Sequence, residues 1–128
     1  MNIRVLIADD MNTMRKLVVR ALKEMGIKEI AEFPDGAQAW QAFSSASPQF
    51  DLVISDWNMP NATGLDFLKR VRADSRLKQT PFILLTAESE MSQVQEAMKA
   101  GVSGYVVKPF TSQSLREKIE SCMKVKGP

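Results

Sequence analysis

Five short apolar runs, each followed by a segment of helical period, constrain this chain more than any other feature of it. The runs are IRVLIA (3–8), IKEIAEF (27–33), FDLVIS (50–55), PFILLT (81–86) and GYVVK (104–108). After the first, Met14, Leu17, Val18, Ala21, Leu22 and Met25 keep i, i+3, i+4 spacing and so share one face of a helix. Leu65, Leu68 and Val71 do the same after the third run. Met91, Val94 and Met98 follow the fourth, in a helix from about Ser89 to Ala100, and Leu115, Ile119 and Met123 follow the fifth. Trp40 and Phe43 mark a helix after Pro34-Asp35-Gly36, closed by the loop SSASPQ (44–49). Runs such as LVIS and FILLT are apolar on both alternating faces, which suits a parallel sheet with helices on both sides. The pattern predicts an α/β fold of five βα units, and 128 residues with 45% apolar content fit one domain, 1–128, with a real core.

In open α/β sheets, functional side chains gather outside the carboxyl ends of the strands. Here those ends carry Asp9 and Asp10, Asp56, Thr86, and Lys108 before Pro109. Three carboxylates, a hydroxyl and an ammonium therefore meet on one edge. Each has an ordinary structural reading. The paired acids after the first run could be an N-cap and first-turn charge for the next helix, Asp56 a cap or turn residue, Thr86 a β-former, and Lys108 a solvated lysine before a turn proline. Against those readings, adjacent like charges at the end of a buried strand repel, and desolvation raises the pKa of each, so a positive partner is expected nearby.

Composition removes several function classes. There is no histidine, which excludes His-based acid–base catalysis, His-ligated zinc and a phosphohistidine carrier. A formal charge of +2, from 17 basic and 15 acidic residues without a basic run, gives no case for nucleic acid or membrane binding. A lone cysteine, Cys122, allows no internal disulfide, and no apolar signal or membrane-length span is visible. A cytoplasmic monomer is the expectation.

The segments IADD, ISDWNMPNATGLDFL, LLTAE and GYVVKPF resemble the receiver domain of bacterial two-component response regulators, and within it the single-domain chemotaxis regulators. The resemblance implies a flavodoxin-like (βα)5 doubly wound sheet. That family is itself a standing example of the 2-1-3-4-5 order, so the order comes from the resemblance and not from the runs. It further implies a switch that accepts phosphate from a histidine kinase onto Asp56. Mg2+ would be held by Asp10, Asp56 and the backbone carbonyl of Asn58, with Asp9 acting largely through water. Thr86 and Lys108 would contact the phosphoryl oxygens, and the Lys108–Pro109 bond resembles the family's cis peptide. Asn58 and Glu88 would tune the lifetime of the phosphoryl group. On activation Thr86 would move and Tyr105 would rotate inward. A half-buried strand aromatic with its hydroxyl in water is the plain alternative for Tyr105.

The output face implied by the resemblance comprises Glu90, Met91, Val94, Tyr105, Val107 and Lys118, with Met98 and Met123 in the core. With no output domain, the chain is expected to act by direct protein contact, the flagellar motor switch being the expected target. Where motor-binding members carry two lysines after TAE and one small residue, this chain has Glu90 and Met91, which is expected to weaken that binding. A phosphate sink, or a regulator of a non-motor partner, is the alternative. The rival of another class is a Mg2+-dependent aspartyl-phosphate phosphatase. Such enzymes place an acid–base aspartate two residues after the nucleophile, where this chain has Asn58. The expectation is accordingly no enzyme beyond its own phosphorylation and dephosphorylation.

Overall fold

The computed structural model describes residues 2–87 and 92–126. Its elements alternate throughout: β1 (Arg4–Ala8), α1 (Asn12–Glu24), β2 (Glu29–Phe33), α2 (Gly36–Ser45), β3 (Leu52–Asp56), α3 (Gly64–Ala73), β4 (Phe82–Ala87), α4 (Val94–Lys99), β5 (Gly104–Lys108) and α5 (Ser112–Lys126). The strands form one sheet in the order β2-β1-β3-β4-β5, all neighbours parallel. This is the flavodoxin-like doubly wound arrangement that the resemblance implied.

Side chains alternate across the strands with period two, and each face meets its own helices. Val5, Ile7, Leu52, Ile54, Ile83, Leu85 and Val106 pack against Val18, Ala21 and Leu22 of α1 and Leu115, Ile119 and Cys122 of α5. Leu6, Ala8, Val53, Phe82 and Leu84 face the other way, onto Ala39 and Phe43 of α2, Phe67, Leu68 and Val71 of α3, and Ala97 of α4. The second core is aromatic: Phe67 meets Phe43 and Phe82 edge-on, with centroids 6.0 and 5.2 Å apart. Every residue of the central strand β3 is buried, whereas the edge strand β2 exposes Glu29 and Glu32.

Four expectations from the sequence are corrected. Ile27 and Lys28 are not in β2. Gly26 takes φ +85°, its N–H bonds the Lys23 carbonyl, and the Ile27 N–H bonds the Leu22 carbonyl, so Ile27 closes a Schellman cap on α1. Leu17 is 39% exposed, because α1 turns the stripe Val18, Ala21 and Leu22 to the sheet and leaves Leu17 at its margin. Met98 is 58% exposed and not core, since α4 buries Val94 and Ala97 instead. Val94, expected on the output face, is itself nearly buried. The start of the expected helix, Ser89 to Met91, lies outside the described residues, as do Glu88 and Glu90.

Candidate functional site

Parallel register carries the strand ends to a common edge. In register, Ala8 pairs with both Phe33 and Ser55, Asp56 with Leu85, Thr86 with Val107, and Ala87 with Lys108. The acids that follow or end β1 and β3 therefore converge. Asp9, Asp10 and Asp56 each bring a carboxylate oxygen to within 4.8 Å of the others.

The ordinary reading of the acid pair fails. The N-cap of α1 is Met11, which makes no side-chain capping bond, and the helix has no acid in its first turn. Asp9 folds back instead, its Oδ1 accepting the Met11 N–H at 2.9 Å. Its other oxygen, Oδ2, is buried with no hydrogen-bond partner among the described residues. A buried carboxylate oxygen left unpaired is costly. Burial, then the nearby charges of Asp56 and Asp10, push the Asp9 carboxyl up to about 6, against the Met11 N–H and Lys108. Asp10, one residue on, is exposed.

Asp56 is 4% exposed at the end of β3. Burial raises its pKa, and Lys108, together with the Trp57 N–H, opposes the rise. Its Oδ1 accepts the Lys108 ammonium at 2.6 Å and the Trp57 N–H at 2.9 Å. Lys108 is thus a partner of the acid site and not a solvated lysine; its side chain is only 19% exposed. The bond to Pro109 is cis. Close packing holds the strand end that carries Asp56: a Cβ on Gly64 would lie 2.3 Å from the Asp56 carbonyl oxygen.

Thr86 is wholly buried and donates its hydroxyl to the Ala87 carbonyl at 3.3 Å. Alternation puts Thr86 on the same sheet face as Leu84, whose register partner is Tyr105, half-buried at the edge of the aromatic core. The Lys118 ammonium lies 6.0 Å from the Tyr105 ring centroid, with Val107 half-buried beside it. Asn58 sits exposed in the loop after β3.

Two site residues escaped the sequence reading. Arg15, one turn into α1, donates to the Asp9 carbonyl at 2.6 Å and pairs with Glu32 at 3.2 Å. Asp35 caps α2 and also accepts the side-chain amide of Asn61 at 3.1 Å. Asp35 had a local signal, an acid just before a helical pattern; Arg15 had none.

The acid cluster fits a small divalent cation. Its donors are hard carboxylate oxygens, one of them an orphan, and the exposed Asp10 leaves room for retained waters, as Mg2+ prefers.

Comparison with known proteins agrees with this geometry. The response regulator receiver domain family matches residues 5–120. The chain is 49% identical to the chemotaxis protein CheY of Pseudomonas aeruginosa over 117 residues, 91% of this chain and 93% of that protein. It is 44% identical to CheY-3 of Vibrio cholerae, covering 93% of this chain and 90% of the relative. The solved structure of the chemotaxis response regulator CheY4 of Vibrio cholerae superposes with a TM-score of 0.86 at 35% identity, over 95% of this chain and 99% of that one.

Proposed function

Because the chain belongs to the response regulator receiver domain family and is closely related to the CheY chemotaxis regulators, which supports a phosphorylation-activated role in two-component signalling, we propose that Asp56 is its phosphoacceptor. The observation that carries this reading is the 2.6 Å ion pair between Lys108 and Asp56 beside two further carboxylates. Attack needs an ionised carboxylate. Burial works against ionisation and Lys108 works for it, offsetting part of that rise. Oδ1 carries both bonds to the protein, so the attacking lone pair falls to Oδ2. As the O–P bond forms, the bond from phosphorus to the imidazole nitrogen of a phosphohistidine donor breaks, and its electron pair leaves with that nitrogen.

Asp9, Asp10, Asp56 and the Asn58 carbonyl would hold Mg2+, which when bound supplies positive charge for the phosphoryl oxygens. Lys108 stays in reach of the same oxygens. The Thr86 hydroxyl turns from the Ala87 carbonyl toward the new phosphoryl group, and the space it leaves lies on the face that Tyr105 borders. That coupling would present Tyr105, Val107 and Lys118, with Glu90 and Met91, to a target protein. The donor on this reading is a histidine kinase. The target is the flagellar motor switch, bound weakly, or another protein, and the chain works as a single receiver unit in the cytoplasm with no chemistry beyond its own phosphorylation and dephosphorylation.

Acetyl phosphate with Mg2+ should add one phosphoryl group to the protein, read by intact-mass spectrometry, and Asp56→Asn should remove the labelling. Equal labelling of that variant would overturn the assignment.

A further inference from the structure

Asp35 does more than cap a helix needs. One carboxylate oxygen, Oδ1, accepts the Gln38 N–H at 2.7 Å and completes the cap of α2. The other, Oδ2, accepts the Gln38 side-chain amide at 2.9 Å and reaches out of the helix to the Asn61 amide at 3.1 Å. Asp35 is 5% exposed, and these bonds, led by the Gln38 N–H, hold its carboxyl below the usual range. It is an ionised group buried for a purpose wider than one helical turn.

Asn61 belongs to the loop between β3 and α3, where it takes φ +71°, a left-handed conformation that asparagine tolerates better than most residues. The next residue is fastened to the same post. A Cβ on Gly36, the first residue of α2, would lie 2.4 Å from the Ala62 carbonyl oxygen, so the loop backbone lies directly against the start of the helix. The near end of the loop is closed by the Gly64 N–H on the Trp57 carbonyl at 2.8 Å. Between these ties sits Asn58.

We propose that Asp35 and Asn61 are a positioning pair for the cation site, tying the β3–α3 loop to the fixed start of α2 and so setting the Asn58 carbonyl relative to Asp9, Asp10 and Asp56. The inference rests on the reading of those four residues as cation ligands. Asp56 ends a packed strand and the Asp9 N–H bonds the Phe33 carbonyl at 3.0 Å, so the sheet fixes the backbone of both, and Asp10 follows Asp9 directly. A backbone carbonyl in a loop has no such support and no side-chain torsions to adjust, so its placement depends on whatever holds the loop.

Mg2+ alone, titrated into metal-free protein and followed by Trp57 fluorescence and by melting temperature, tests this. Asn61→Gly keeps the left-handed backbone and removes only the amide; Asn61 is exposed, so the core is untouched. The variant should need about tenfold more Mg2+ to reach half-saturation, the low end for loss of an outer-shell partner. The exchanged pair Asp35→Asn with Asn61→Asp keeps a cap acceptor and restores the bond in the opposite sense, and should recover most of that loss. A purely structural role would lower the melting temperature in chelator without moving the half-saturation point. A parent that responds to Mg2+ with Asn61→Gly responding identically, or an exchanged pair no better than Asn61→Gly, overturns the positioning role alone. A parent that does not respond overturns the cation-site reading and this inference with it.

Discussion

Asp9→Asn should stabilise the metal-free protein, although it alters a wholly buried residue. The Asp9 carboxyl stands at about 6 in the folded chain against a reference of 3.8. A gap of about 2 pK units corresponds to roughly 3 kcal/mol of folding free energy lost to keeping this group ionised. Since the folded pKa is the higher one, the native state holds a proton that the unfolded chain has released between pH 3.8 and about 6. Stability from this group therefore falls as pH rises through that window, and the full cost applies above it. Asparagine keeps an oxygen to accept the Met11 N–H and puts a donor where the unpartnered Oδ2 now lies beside two carboxylates. Some of the gain is returned in burying an amide, so about 1 to 3 kcal/mol is expected from urea melts at pH 7.5 in chelator. The gain should shrink as pH approaches 4. With saturating Mg2+ the order should reverse or close, because the parent gains binding free energy that the variant has largely lost. A variant less stable than the parent at pH 7.5 in chelator, or a difference indifferent to pH, would refute the electrostatic account of this site.

Gly64→Ala should cost about 2 kcal/mol or more in a urea melt and slow labelling of Asp56 by acetyl phosphate, because the added methyl would meet the Asp56 carbonyl at 2.3 Å and Leu84 Cδ2 at 2.8 Å. The phosphorylated protein should lose its phosphoryl group in seconds to minutes in Mg2+ buffer, since Asn58 beside the acceptor is exposed and leaves water access; mass spectra showing persistence for hours would contradict this. A motor-switch peptide titrated into beryllofluoride-activated protein should bind roughly tenfold more weakly than to a Glu90→Lys, Met91→Lys variant, about 1 to 2 kcal/mol from lost and reversed rim charge. Equal affinities at low and high salt would sink the charge argument.

The alternation of five apolar runs with helical stripes was enough to read the α/β class and the edge on which the acids collect, because burial on both faces of a parallel sheet leaves a direct mark on the sequence. The strand order left no such mark and came from family resemblance. Local boundaries failed where one backbone angle decided them: Ile27 is as apolar as a strand residue, and only the positive φ of Gly26 assigns it to the cap of α1. Helix rotation failed for a similar reason. Leu17 and Val18 are equally apolar neighbours, and the packed sheet, not the spacing, chooses Val18. The tie from Asp35 to Asn61 spans 26 residues and joins two loops, which no periodicity encodes. Arg72 was invisible likewise: from α3 it bonds the carbonyls of Gly101 at 2.8 Å and Thr80 at 2.6 Å, stitching together the loops before β4 and β5.

Where polarity is buried separates scaffold from site more sharply than any motif. Among the described residues the buried polar side chains are Asp9, Asp35, Ser55, Asp56, Thr80 and Thr86. All but Thr80 lie at the carboxyl edge of the sheet, on or just after β1, β2, β3 and β4. A covered parallel sheet has no folding reason to concentrate desolvated carboxylates at one end, and each raises the cost of the native state unless something compensates it. Within the protein the compensation is uneven: Asp35 is fully hydrogen-bonded, Asp56 has Lys108, and Asp9 retains an oxygen with none. The residue left least satisfied lies beside the one proposed to react. A cation arriving at this edge would meet a site already biased by repulsion and relieve it, whereas a phosphoryl group adds negative charge that the cation and Lys108 would have to offset; on the proposed reading that added charge is what would draw Thr86 over and, through the shared sheet face, turn Tyr105.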